Sequence, residues 1–314
     1  MDLEKYYKDT ENKGIDEFWA LSDDKKKEIL SEKEEFERLE PYYLLFEALT
    51  QYIRVRKYYN NIKRHYDNIM EKLSQIKNEN NQKSSDSIFK EKSLDKEHDA
   101  KAYEKKRNQF LKELELTEVN ICQKREILYQ QLLTNHDIAC GKLLMLIIFA
   151  YVYNDTPDIF KNKKSTGSFD AKKFKYFFDS YSQKKRVPKK YQDSFNDIDK
   201  VLICKVAIPI KADYRTIKRF FTNNAISIQR AVAICLCLDL DTFISVEFLK
   251  RAGYDLSPYS PVKINRVLYS LLEDRPFVHP KDGEFNDMIL WYNIVLESVG
   301  LKNLTLTGRQ KSDK

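Results

Sequence analysis

Four residues whose side chains can bind nucleic acid lie close together in the second half of the chain: Tyr214, Arg215, Lys218 and Arg219. Arginine and lysine contact phosphate oxygens and base edges, and tyrosine can also hydrogen-bond to the backbone of a nucleic acid. If residues 214–221 form a helix, this spacing allows the four polar side chains to face outward. The apolar residues of the same stretch can then face the protein interior: Ile217, Phe220 and Phe221.

Further polar and basic residues flank this stretch, and two expected helix starts lie beside it. Asp213 is a suitable N-cap for a helix that begins at Tyr214, and Ser227 is suitable for the helix that follows. The free backbone N–H groups at such helix starts can bind phosphate. The candidate nucleic-acid-binding residues are therefore Lys211, Tyr214, Arg215, Lys218, Arg219, Asn223, Asn224 and Arg230.

The positive charge of the chain is concentrated around these residues. The 314 residues include Lys+Arg 55 and Asp+Glu 48, a net charge of +7. Residues 161–230 contain 18 Lys/Arg, 6 Asp and no Glu, which gives +12, so the rest of the chain is slightly acidic. Such a segment favours a polyanionic partner, because cations placed along a nucleic-acid backbone gain affinity through counterion release. A solvated basic surface, or a degenerate domain used for protein contacts, is the alternative.

Sequence signals for catalysis and for cofactor binding are scarce. The chain has only 7 Gly and contains neither G-x-x-x-x-G-K-[ST] nor G-x-G-x-x-G, which excludes a P-loop and the usual dinucleotide-binding turn. The four histidines are far apart, and the C-x-C pair at Cys235 and Cys237 is weak evidence for a metal site. We therefore expect no enzyme, no cofactor and no metal, and we expect the scattered cysteines to be reduced thiols.

Short helices are expected to position the basic residues. Apolar and amphipathic patterns predict them over residues 169–181, 197–206, 214–221, 227–238 and 243–252. Pro209 interrupts the chain before the basic helix, and Gly253 follows the last helix in the position typical of a helix end. A short helix, a turn, a short basic helix and a buried helix form the layout of a helix-turn-helix domain.

Part of this region resembles a known family. The resemblance begins with the run SIQRAVAICLCLDLD at residues 227–241 and continues with FLKRAGYDLS at residues 248–257. These runs are similar to the later helices of phage-repressor-like (Xre/Cro-type) helix-turn-helix domains. One bacterial variety of the family ends with a pattern that matches Asn293, Leu296, Gly300 and Leu301. The resemblance covers roughly residues 191–305, and it implies that the recognition helix carries Tyr214, Arg215, Lys218 and Arg219.

The N-terminal half of the chain carries a heptad pattern between Pro41 and about Asn78. Ten positions of two heptad series are all apolar or aromatic, which predicts a coiled-coil-like seam: Leu45, Ala48, Tyr52, Val55, Tyr59, Ile62, Tyr66, Ile69, Leu73 and Ile76. An earlier helix is expected to end at about Arg38, before Pro41. A polar connector over residues 78–95 and a second helix from about Lys96 to Thr134 follow, and the apolar stripe of that helix is interrupted by Arg107, Thr117 and Lys124.

The sequence thus predicts an all-α protein with a long N-terminal antiparallel helical hairpin and a C-terminal multi-helix helix-turn-helix domain. A coil between two chains is the alternative to the hairpin. The expected segments are residues 1–21, the hairpin at 22–136, a connecting helix and linker at 137–168, the helix-turn-helix domain at 169–305 and a tail at 306–314. With no signal peptide and no apolar run of about 20 residues, a cytoplasmic protein that does not enter a membrane is expected.

The expected function is that of a DNA-binding transcriptional regulator. Its basic recognition helix would bind double-stranded DNA, and its hairpin would form a homodimer or receive a signal from a partner protein. The alternative is a protein-interaction adaptor, such as an accessory subunit of a phage-defence or toxin–antitoxin system, whose helix-turn-helix domain is not a sequence-specific repressor. Binding to random duplex DNA and its salt dependence distinguish the two.

Overall fold

The computed structural model describes the backbone of most of the chain. The described residues are 23–83, 90–155, 160, 170–183, 186–208, 210, 212–223, 226–273 and 285–304. The expected N-terminal segment and tail lie outside them, as does most of the expected linker. Pro209, Lys211 and Asn224 also lie outside them.

The protein is all-α, as predicted, and no strand occurs among the described residues. The α-helices described there are α1 (Asp23–Lys83), α2 (Lys90–Thr134), α3 (Cys140–Asp155), α4 (Ala171–Gln183), α5 (Gln192–Leu202), α6 (Tyr214–Asn223), α7 (Ile228–Cys237), α8 (Thr242–Arg251), α9 (Lys263–Glu273) and α10 (Phe285–Ser298). A 3-10 turn at Lys189–Tyr191 precedes α5, and a π-helical turn at Ile203–Ala207 follows it. None of these helices is long and apolar enough to cross a lipid bilayer.

The chain divides into two compact units. The described residues within 43–136 form one unit, here called the hairpin unit, and the described residues before 43 and after 136 form the C-terminal unit. The first part of α1 therefore groups with the C-terminal unit, whereas the sequence assigned it to the hairpin. Its contacts explain this grouping, because the Tyr42 ring lies 4.6 Å from the Phe178 ring and Arg38 pairs with the buried Asp179 at 3.5 Å.

α1 continues through Pro41, so the helix boundary expected there is wrong. A proline inside a helix removes a backbone hydrogen bond and costs about 3 kcal/mol. Burial of neighbouring apolar side chains offsets that cost, since Leu39, Leu45 and Phe46 are each less than one-tenth exposed. The helices also extend into the expected connector, because α1 ends at Lys83 and α2 begins at Lys90.

The heptad pattern of α1 coincides with its buried side. All ten heptad positions are buried or half-buried, and none is exposed. The apolar positions expected on α2 are buried or half-buried in the same way: Tyr103, Phe110, Leu114, Ile121, Leu128 and Leu132. The two stripes thus supply the apolar interior of the hairpin unit.

The polar residues that interrupt the stripe of α2 lie on the same inner side. Thr117 is buried and its hydroxyl donates to the Glu113 carbonyl at 2.7 Å. Lys124 is half-buried and its Nζ donates to Gln51 Oε1 at 2.8 Å. Internal hydrogen bonds therefore satisfy the polar side chains of Thr117 and Lys124.

Contacts between α1 and α2 follow opposite directions along the two helices. As the position on α1 rises from 51 to 72, the position of its partner on α2 falls from 124 to 103. The contacts are Gln51 with Lys124, His65 with Phe110, and Lys72 with Tyr103. This order is that of two antiparallel helices.

α3 forms the core of the C-terminal unit. Every residue from Leu143 to Ala150 is at most 1% exposed, and α4, α5, α6 and α8 pack against the helix. A helix that is apolar on all sides requires such neighbours on all sides. The rings of Phe149 and Phe174, 5.9 Å apart, extend this core from α3 to α4.

Aspartate side chains cap the starts of two helices in the C-terminal unit, and Asp213 is one of the two caps that the sequence predicts. Asp213 Oδ1 accepts the Arg215 backbone N–H at 2.7 Å at the start of α6, and Asp241 Oδ1 accepts that of Ile244 at 2.9 Å in α8. Gly253 has φ +86° just after α8, a conformation that glycine adopts without strain. These local contacts mark the start of α6 and both ends of α8.

The residues that carry the family resemblance have structural roles. The Tyr254 hydroxyl donates to the Ile226 carbonyl at 2.7 Å, which ties the end of α8 to the segment before α7. The buried Asn293 accepts the Leu304 backbone N–H at 2.8 Å. Gly300 ends α10 with φ +73°. These contacts give physical reasons for the residue types at these positions.

Candidate nucleic-acid interface

The apolar side of α6 fixes the helix within the C-terminal unit. Ile217, Phe220 and Phe221 are each at most 6% exposed, as the sequence predicted. The backbone of α6 lies closest to α3 and α4. The helix therefore presents only its opposite side to solvent, and its position depends on the core helix α3.

A single glycine permits the close approach of α3 and α6. A Cβ atom at Gly141 would lie 2.1 Å from the Phe220 carbonyl oxygen and 3.0 Å from the backbone of Phe221. Real Cβ atoms are not found at such distances from backbone atoms. Sequence reasoning did not identify this residue, although a glycine inside an otherwise apolar helix is a signal of close backbone packing.

Two guanidinium groups project from the solvent side of α6. Arg215 and Arg219 are both exposed, and neither forms an ion pair with another described residue. They are four residues apart, one turn of the helix, which separates them by about 6 Å along its axis. Arginines in this arrangement can contact phosphate oxygens or the acceptor atoms of guanine.

Lys218 belongs instead to a cluster inside the C-terminal unit. Its Nζ lies 4.7 Å from the Tyr214 ring, 4.9 Å from the Tyr181 ring and 5.2 Å from the Phe195 ring. The same atom pairs with Asp199 Oδ2 at 3.3 Å. These five residues, here the Lys218 cluster, join α4, α5 and α6. The positive charge of Lys218 is thus stabilised within the protein by three aromatic rings and by the Asp199 carboxylate.

The two tyrosines of the Lys218 cluster are held in their neutral form. Burial raises the pKa of Tyr181 and that of Tyr214, and the Asp199 carboxylate raises both further. The Tyr181 hydroxyl donates to Asp199 Oδ1. Asp199 and Lys218 are therefore the charged pair of the cluster, with neutral phenols around them. Tyr214 is accordingly half-buried beside Lys218 and only partly faces solvent.

Ring contacts link the Lys218 cluster to a basic loop that precedes α5. Tyr176 of α4 lies 5.6 Å from Tyr191, and the Lys190 Nζ lies 4.7 Å above the Tyr191 ring. The chain of ring contacts continues from Tyr191 to the cluster through Phe177 and then Phe195. Among the described residues of this loop, 186–191, the exposed cations are Arg186, Lys189 and Lys190. The candidate list from the sequence omitted them, although they lie inside the +12 segment.

The remaining candidate residues occupy different positions. Arg230 is half-buried, in the first turn of α7. Ser227 is the N-cap residue of that helix, although its side chain makes no cap hydrogen bond. Lys211 and Asn224 lie outside the described residues, and only the backbone of Asn223 is described. Of the eight candidates, Arg215 and Arg219 are thus the two whose described side chains are exposed.

The connection between α5 and α6 is wound rather than extended. The π-helical turn after α5 includes a hydrogen bond from the Ile208 N–H to the Ile203 carbonyl at 3.0 Å. The Ala212 N–H then donates to the Ala207 carbonyl at 3.0 Å. These bonds keep the chain compact up to Asp213, which caps α6. The start of α6 is therefore positioned by backbone hydrogen bonds and by a side-chain cap.

The cysteine pair of α7 has the properties of core residues. Cys235 is buried and Cys237 is half-buried. Burial raises the pKa of the Cys237 thiol well above its usual range, which disfavours the thiolate that a metal would need. Across the described part of the chain, no group of three or more His, Cys, Asp or Glu side chains could hold a metal ion.

The chain was also compared with known proteins. No family model, no curated protein and no solved structure matches it.

Proposed function

We propose that the protein binds double-stranded DNA through α6 and acts as a DNA-binding regulator. The observation that carries this proposal is the position of Arg215 and Arg219. Both guanidinium groups are exposed on one short helix whose apolar side is packed against the core. A helix that is packed against the core on one side and carries arginines on the other has the features needed to contact phosphates and base edges.

The net charge of the region supports the same proposal. Residues 161–230 carry +12, and the exposed cations of the basic loop, Arg186, Lys189 and Lys190, belong to the same segment as α6. Cations of this kind add affinity for a phosphate backbone without adding sequence preference. In the proposal, the loop supplies general affinity for DNA and α6 supplies the contacts that fix its orientation.

The test is binding of a fluorescent random-sequence duplex, measured by anisotropy at low salt. The wild-type chain is expected to bind, and the double variant Arg215→Ala, Arg219→Ala is expected to bind much more weakly. Lys218 is left unchanged because its substitution would disturb the cluster that positions α6. No binding by the wild-type chain at low salt would overturn the proposal and favour the adaptor function.

A matched control separates a specific role of α6 from a general effect of charge. The variant Arg54→Ala, Arg64→Ala also removes two arginine charges, but from exposed positions of α1 in the hairpin unit. It is expected to bind DNA as the wild-type chain does. Selection of bound fragments from the protein's own genome then tests sequence preference, which a regulator needs and an adaptor does not.

A further inference from the structure

An exposed tyrosine lies on the outer side of α4. Tyr176 is 36% exposed, whereas three phenylalanines of the same helix are each at most 2% exposed: Phe174, Phe177 and Phe178. The centroid of the Tyr176 ring lies 5.6 Å from that of Tyr191, and the two ring planes are inclined by 42°. The rings are therefore not stacked face to face, and part of the Tyr176 ring remains accessible to another planar group.

Exposed cations lie beside this pair of rings. The Lys190 Nζ lies 4.7 Å from the centroid of the Tyr191 ring. Arg186, Lys189 and Lys190 are all exposed, and none of them forms an ion pair with another described residue. We call Tyr176, Tyr191 and these three cations the Tyr176 platform. Its charged groups are thus available to an anion from solvent.

The elements that form the Tyr176 platform contain little negative charge. Over the described residues of α4 and of the basic loop, 171–183 and 186–191, Asp179 is the only acidic residue. Asp179 is 4% exposed and pairs with Arg38 at 3.5 Å, so its charge is compensated inside the protein. The next carboxylate along the chain is that of Asp193, in the first turn of α5. The platform is therefore complementary in charge to a partner that carries several phosphates.

The combination of a ring with cations favours a single strand over a duplex. Cations alone serve both kinds of nucleic acid, because both carry a phosphate backbone. An accessible ring finds no stacking partner in an intact duplex, whose bases cover one another, whereas the bases of a single strand expose their faces. Proteins that bind single strands combine positive charge along the backbone with aromatic side chains on which bases stack. The Tyr176 platform has both of these features.

We propose that the Tyr176 platform binds single-stranded DNA. An unpaired base stacks on the accessible part of the Tyr176 ring, and the neighbouring phosphates pair with the cations of the basic loop. The choice of DNA over RNA rests on the proposed function of α6, whereas stacking and charge pairing do not depend on the sugar. The platform shares no residue with the arginine pair of α6, so the two sites can be tested separately.

The first test measures binding of a fluorescent oligonucleotide of about 15 nucleotides, either free or annealed to its complement, to the full-length chain. The wild-type chain is expected to bind the free strand. Tyr176→Leu is expected to bind that strand at least about fivefold more weakly, because a base loses its stacking ring, and to bind the duplex with unchanged affinity. Tyr176→Phe keeps a ring and is expected to bind the strand as the wild-type chain does. An unchanged affinity of Tyr176→Leu for the strand, or an equal loss for the duplex, would overturn the proposal.

A matched control replaces a tyrosine elsewhere in the same unit. Tyr259 is 90% exposed and lies outside the platform, so Tyr259→Leu is expected to bind the strand as the wild-type chain does. Equal weakening by Tyr176→Leu and Tyr259→Leu would refute a specific role of Tyr176. The variant Arg215→Ala, Arg219→Ala is expected to lose affinity for the duplex and to keep its affinity for the strand. A wild-type chain that binds only the duplex refutes this inference alone, and one that binds only the strand refutes the proposed function of α6.

The last test locates the stacked base and identifies the kind of partner. An oligonucleotide that carries 5-iodouracil, which cross-links to a stacked aromatic ring on irradiation, is expected to label Tyr176. Labelling confined to other residues would contradict the proposed position of the base. An RNA strand of the same sequence is expected to bind no more tightly than the DNA strand, and polyglutamate is expected to compete only weakly. Preference for RNA, or equally effective competition by polyglutamate, would contradict the assignment to single-stranded DNA.

Discussion

Replacement of Lys218 by methionine tests the role of the Lys218 cluster. Methionine keeps most of the apolar stem of lysine and removes only the charge. The ammonium group lies 4.7 to 5.2 Å from three ring centroids, and cation–π contacts contribute about 0.5–1 kcal/mol each at exposed sites and more when desolvated. The ion pair with Asp199 is partly exposed, at 33% and 23%, and adds about 0.5 kcal/mol.

Together these contacts predict that Lys218→Met lowers the free energy of unfolding by about 2 kcal/mol, because the three ring contacts share one cation and do not add fully. Urea denaturation followed by circular dichroism measures the change. Arg215→Met, which removes a solvated charge from the same helix, is expected to cost less than about 0.5 kcal/mol. Equal costs for the two variants would refute the assignment of Lys218 to a structural cluster.

Two further predictions concern the core and the hairpin. Gly141→Ala is expected to lower the free energy of unfolding by about 1–3 kcal/mol in urea denaturation, because the alanine methyl group would collide with the Phe220 carbonyl oxygen. An unchanged free energy of unfolding would contradict the close approach of α3 and α6. Burial and a hydrogen bond to Glu118 raise the pKa of Tyr59 to about 12 in the folded protein. Because the unfolded chain loses this proton near pH 10, the neutral phenol is expected to stabilise the fold fully below about pH 10, and this contribution is expected to be lost as the pH rises towards 12. Urea denaturation across that range should show a smaller loss in Tyr59→Phe than in the wild-type chain, and an equal loss would contradict the assignment.

The seam of the hairpin unit could be predicted from the sequence because heptad spacing alone determines which side of a helix is buried. Val55 and Ile62 belong to the same series and lie on the same side whatever the partner helix is. Capping residues such as Asp241 are predictable for a similar reason, since the hydrogen bond to Ile244 lies within one turn.

The features that sequence reasoning missed depend on neighbours distant in the chain. Lys218 has the spacing of an outward residue, and only the packing of α4 and α5 around it turns its charge inward. Pro41 has the usual features of a helix start, yet burial on both sides keeps α1 continuous. Lys124 interrupts an apolar stripe, but Gln51 of the other helix provides its hydrogen-bond acceptor.

The central proposal is that Arg215 and Arg219 contact DNA. The most direct test is the slope of log binding constant against log salt concentration for a random duplex. Removing two phosphate contacts is expected to reduce the magnitude of that slope by about 1.8 in Arg215→Ala, Arg219→Ala, with no change in Arg54→Ala, Arg64→Ala. A slope that is unchanged in the α6 variant, or reduced equally in the control, would contradict the account.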